Sequence, residues 1–188
     1  MLRFFLLSIA PLALLLVLLT TASLAIGGLH PAHPMSTQLT WCESQNICWL
    51  GITSIDTPIA DARYALEMAG YQATDANYYT LQTPSTHCLA RVMPVASDTS
   101  LIGALGIQCN ELRLSEIMRT LGEPDRVGTH CDGSYVVYYG RNFFINIGTT
   151  LSPNQPVEWM VLSRILTGYY ERRWYGFALP WRYAESSC

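Results

Sequence analysis

From Phe4 to Leu29 the sequence is a nearly continuous apolar run, and Arg3 carries the only charged side chain before Glu43. Bilayer lipid offers no partner for backbone polar groups, so a run of this kind crosses it as a helix. At about 1.5 Å per residue, the run is long enough for a hydrocarbon core of about 30 Å. The expectation is an uncleaved signal-anchor over residues 1–29, a transmembrane helix with Arg3 holding the N-terminus in the cytoplasm. The alternative is a secretory signal cleaved near Ala25, where Ser23-Leu24-Ala25 supplies small residues. Either way residues 35–188 are expected to be extracytoplasmic. His30-Pro31-Ala32-His33-Pro34 opens a linker over residues 30–40, because each proline fixes φ and disfavours helix before it.

The rest of the composition narrows the chemistry. Only 13% of residues are charged, the net charge is −3, and all 11 basic residues are arginine. Nucleic acid is excluded as a partner, since phosphate neutralisation needs a basic stripe. The absence of lysine excludes a phosphate-loop lysine and Schiff-base catalysis. The six cysteines, Cys42, Cys48, Cys88, Cys109, Cys131 and Cys188, suit an exported domain held by disulfides. Cys42 and Cys48 are the best single pair, because the short loop between them closes locally. A lipid-attachment role for Cys42 fails, since Gln38-Leu39-Thr40-Trp41 lacks the small residues such a site requires.

Periodicity predicts two helices. Thr57 as N-cap and Pro58 at the first helical position start one that runs through Ile59, Ala62, Ala65, Leu66 and Ala69 to Gly70. Ser115 as N-cap starts the other, through Ile117, Met118 and Leu121 to Gly122, with Pro124 blocking continuation. Strand-like segments follow each, at residues 77–81, 88–92 and 100–108, then 134–139, 142–147, 157–166 and 169–177. Gly140-Arg141 marks a hairpin turn. Gly51-Ile52 and Gly106-Ile107 precede the two helices, a weak internal repeat. The expected fold class is α+β: the transmembrane helix, then an exported domain at 41–188 of two helix-plus-antiparallel-sheet units, 41–108 and 109–188.

The segment Leu114-Ser115-Glu116-Ile117-Met118-Arg119-Thr120-Leu121-Gly122-Glu123-Pro124-Asp125 resembles the helix-to-strand motif of the SmpA/BamE-like fold, shared with β-lactamase-inhibitor-like proteins. Cys48-Trp49-Leu50-Gly51-Ile52 and the helix after it look like a degenerate first unit of a tandem arrangement. The resemblance implies helix–helix–sheet repeats in a non-catalytic binding module, as in exported bacterial proteins. It carries over no binding residue.

Two segments could hold chemistry. His87-Cys88 and His130-Cys131 together offer four zinc ligands, or a thiol nucleophile with an imidazole base. Adjacent strand residues point to opposite faces, however, so each dipeptide offers one group inward. No metal, cofactor or catalytic residue is therefore expected, and an exported enzyme built on these segments is the alternative. Near the C-terminus Tyr169, Tyr170, Arg172, Arg173, Trp174, Tyr175 and Trp181 combine the residue types that dominate protein interfaces. The functional expectation is a membrane-anchored envelope protein with a non-catalytic, protein-binding or scaffolding ectodomain. A further alternative is an accessory subunit of a membrane complex.

Overall fold

The computed structural model describes residues 11–19, 21, 33–42, 46–53, 57–83, 86–130, 132–163 and 171–177. The chain divides into two compact units, Met1–Ala32 and His33–Cys188. In the first, residues 11–19 are helical and their apolar side chains stand exposed. Among the described residues no helix is long and apolar enough to cross a membrane, which corrects the expected transmembrane helix.

The second unit begins with a one-turn helix, α1 (Pro34–Thr37), and a two-stranded ribbon of β1 (Leu39–Trp41) with β2 (Ile47–Trp49). Helix α2 (Ile59–Met68) leads into β3 (Gln72–Asp75), β4 (Tyr78–Thr83), β5 (Thr86–Val95) and β6 (Asp98–Cys109), each antiparallel to the strand before it. Helix α3 (Leu114–Leu121) leads in the same way into β7 (Arg126–Thr129), β8 (Tyr135–Tyr139), β9 (Phe143–Ile147) and β10 (Val157–Ser163). Then β10 pairs with β6, and β11 (Arg172–Arg173) adds to β7.

The product is one nine-stranded antiparallel sheet in the order β11-β7-β8-β9-β10-β6-β5-β4-β3. This corrects the expected α+β fold of two units. The domain is mostly sheet, with short helices, and the two runs of hairpins share one layer. Two separate sheets would leave the backbone groups along β6 and β10 as unpaired edges, whereas joining them satisfies both.

Local readings fare unevenly. Gly70 and Gly122 both follow helices at φ near +88° and +87°, the left-handed region that glycine enters without a Cβ clash. Thr57 does not cap α2, because its hydroxyl accepts the N–H of Thr53 at 3.0 Å, and Pro58 takes the cap position. Ser115 lies inside α3. There the Glu116 carboxylate accepts the N–H of Arg113 at 2.9 Å and that of His33 at 3.1 Å, tying the entries of α1 and α3 together. The order of a helix and four antiparallel strands repeats, but the two Gly-Ile pairs are not equivalent: Gly51-Ile52 forms a tight turn against Trp49, while Gly106-Ile107 lies within β6.

The helices and the β1–β2 ribbon cover one face of the sheet. Met35, Trp49, Leu66 and Ile117 meet Val92, Leu105, Ile145 and Met160 in a single apolar core. Fully buried Asn142 fixes the ribbon to the sheet. Its Oδ1 accepts the N–H of Ile47 at 2.8 Å and its Nδ2 donates to the carbonyl of the same residue at 3.0 Å, so the side chain replaces a neighbouring strand. Trp41 adds a second tie, donating its indole N–H to the Leu121 carbonyl at the C-terminal end of α3. Asn142→Ala would orphan both Ile47 groups. At about 1–3 kcal/mol for each buried unpaired group, the expected loss in urea unfolding is about 2–6 kcal/mol. An unchanged midpoint would show that apolar packing alone seats the ribbon.

Candidate functional site

Side chains alternate between the two faces of a strand, so those facing away from the helices form their own surface. The strand registers place seven residues of that face in one row across the sheet: Arg126, Tyr138, Phe144, Val161, Gly106, Arg91 and Tyr78. Tyr138 is buried and lies 6.1 Å from the Phe144 ring. Phe144, Val161 and Tyr78 are half-buried, and Arg91 is exposed. Beside the row, half-buried Trp159 leans over Gly106, where an added Cβ would sit 3.7 Å from its ring. Leu89 and Met93 flank Arg91 on β5, also half-buried. The surface is aromatic and apolar at its centre, with an arginine near each side.

Both arginines stack on the tyrosine directly across from them. The Arg126 guanidinium lies 5.3 Å from the Tyr138 ring centre, and that of Arg91 lies 5.2 Å from Tyr78. Arg126 is also engaged elsewhere: it ion-pairs with Glu171 and donates to the Gly140 carbonyl at 3.0 Å. At one corner of this face His130 Nε2 meets Asn146 Oδ1 at 3.2 Å. Next to it the Asp132 carboxylate accepts the Ser134 hydroxyl at 2.7 Å and the Ser134 N–H at 2.8 Å.

Of the expected disulfide residues, Cys42 pairs with Cys48, as the short loop suggested, and Cys88 pairs with Cys109. The second bond joins direct register partners on β5 and β6 and is buried. Cys131 and Cys188 lie outside the described residues, as do Tyr169, Tyr170 and Trp181. The remaining interface candidates separate. Arg172 and Arg173 are exposed on β11, with Arg173 opposite Arg126, and Tyr175 is exposed. Trp174 turns inward and packs edge-on against Phe177, with ring centres 5.0 Å apart.

The two His-Cys segments are not brought together. His87 lies on β5 and His130 follows β7, five strand-to-strand steps apart in the sheet, or roughly 24 Å at about 4.8 Å per step. The Cys88 sulfur is consumed by its disulfide. Among the described residues no cluster of three or more histidine, cysteine or acidic side chains is placed to hold a metal. Burial pushes the Tyr71 and Tyr139 phenols well above their ordinary range, with Asp125 and Glu123 adding to the effect at Tyr139, so both stay protonated.

The row on the outer face escaped sequence reasoning. Along β5, both alternating sets are partly apolar: Leu89 and Met93 on one side, Ala90 and Val92 on the other. Alternation alone therefore does not say which set faces the core. No protein-family model, curated protein or solved structure matches the chain.

Two outcomes follow from this geometry. Peptide mass spectrometry without reduction should find Cys42 linked to Cys48 and Cys88 linked to Cys109. Removing the second bond, which spans a sequence separation of 21, should cost about 3 kcal/mol on the loop-entropy estimate; scrambled linkages would contradict the β5–β6 register. The Ser134 hydroxyl, then its N–H and the His130 charge, hold the Asp132 carboxyl below the usual range. Its contribution to stability is thus present above the ordinary aspartate range and is lost as pH falls through the lowered value. In an NMR titration the Asp132 carboxyl carbon and the Ser134 amide should move together with a midpoint below about 3.9. A higher midpoint would mean that the turn does not stabilise the anion.

Proposed function

We propose that this chain is an exported, non-catalytic binding domain that captures another protein on the outer face of its sheet. The observation that carries the reading is the row from Phe144 to Tyr78, where aromatic, aliphatic and arginine side chains lie side by side on paired strands. Paired strands hold their backbone in place, and tryptophan, tyrosine and arginine are the types that dominate interface energetics. Export is supported by the two disulfides, which persist in an oxidising compartment. The apolar run behind Arg3 has the character of an export signal.

The test places a photo-crosslinking amino acid at Val161, in the native host, with Tyr64 on the exposed side of α2 as the comparison site. A discrete adduct with one partner at Val161 and none at Tyr64 is expected. Once that partner is purified, Trp159→Ala should weaken capture by about thirtyfold, the loss typical of an interface tryptophan worth about 2 kcal/mol. No adduct at Val161, or the same diffuse adducts at both positions, would remove the reading.

A further inference from the structure

The two arginine–tyrosine stacks are alike in geometry and differ in what fills them. Each arginine lies over the tyrosine directly opposite it on the neighbouring strand, at nearly the same distance, and both pairs belong to the same row. At Arg126 the guanidinium is satisfied by the chain itself, through the Glu171 carboxylate and the Gly140 carbonyl. At Arg91 nothing comparable is present. Among the described residues Arg91 donates no hydrogen bond and forms no ion pair, and its side chain is exposed.

Among the described residues none of the acids on neighbouring strands pairs with Arg91. Asp75, across β4, accepts the N–H of Ala76 at 2.6 Å. Asp98, at the tip of the β5–β6 hairpin, holds Ser100. Glu158 sits at the β10 bulge with its carboxylate beside Gly148.

We propose that Arg91, lying over the Tyr78 ring, receives a carboxylate side chain from the bound protein, so that the segment seated on the outer face is acidic as well as apolar. This rests on the binding reading above and specifies the partner's chemistry. A guanidinium presents its N–H groups as a planar fork that matches a carboxylate, and charge-assisted bonds of this kind are among the stronger polar contacts. Stacking on Tyr78 orders that fork before the partner arrives, which lowers the entropy lost on binding. The neighbours Leu89, Met93 and Trp159 shield the site in part and accept the apolar flank of the same segment. Glu171 on Arg126 is the intramolecular version of the contact.

The test uses full-length oxidised protein and a randomised peptide library, selected in parallel on the unaltered chain, Arg91→Gln, Arg91→Lys and Trp159→Ala. Peptides recovered on the unaltered chain should carry Asp or Glu next to apolar residues. Arg91→Gln should weaken them by about tenfold or more, as expected for losing a charge-assisted fork. Changing the peptide acid to its amide should cost a similar factor, with little added loss when both changes are combined. Arg91→Lys, which keeps the charge but not the fork, should recover only part of the affinity.

Peptides that depend on Trp159 but are indifferent to Arg91 would overturn the carboxylate site and leave the binding face standing. Peptides indifferent to both positions, or no selectable peptides, would overturn both. Intact disulfides and unchanged near-ultraviolet circular dichroism in the Arg91 variants confirm that folding is not the cause.

Discussion

Four residue pairs, from Met160 opposite Ile107 to Ser163 opposite Ala104, join two runs of hairpins into one layer. Every other pairing among the described strands of the main sheet, apart from β11 on β7, is between consecutive strands and closes locally. The β6–β10 seam alone brings β6 against a strand that follows α3 and three further strands, so its loop-closure cost is the larger one. Without it the sheet would divide, and neither half would present a continuous row of side chains. The buried Cys88–Cys109 bond lies one strand away and ties β5 to the seam strand β6.

That seam also decides what each face does. On one side the helices and the ribbon cover an aliphatic and aromatic core, with Asn142 supplying a buried polar tie between ribbon and sheet. On the other side the same strands carry rings and arginines that shield one another only in part. The histidines at 87 and 130 are held far apart by the strand order.

Much of the local structure was legible in the residues. The two main helices, the hairpin at Gly140, the inward alternation of Phe143, Ile145 and Ile147, and the Cys42–Cys48 pair all follow from short-range rules. Others were not. β3 is exposed along its whole length, so Gln72–Asp75 carries no apolar signal. β7 is short and contains Gly128, which favours no strand by itself. Trp174 carries an interface residue type, yet it lies in the core, because side-chain chemistry does not report direction.

The candidate surface shows the same division. Sequence alone determined that the chain is poor in charge and free of lysine, that its cysteines suit disulfides, and roughly where the two main helices and several of the strands lie. Those properties depend on composition or on residues a few positions apart. Tertiary structure alone decided that the two strand runs merge, that Cys88 meets Cys109, and that Arg91, Gly106, Val161, Phe144 and Tyr138 share one row. The reason is register. Sliding one strand by a single residue moves its side chains to the opposite face, and the register between β6 and β10 is set by packing and backbone pairing across the whole sheet.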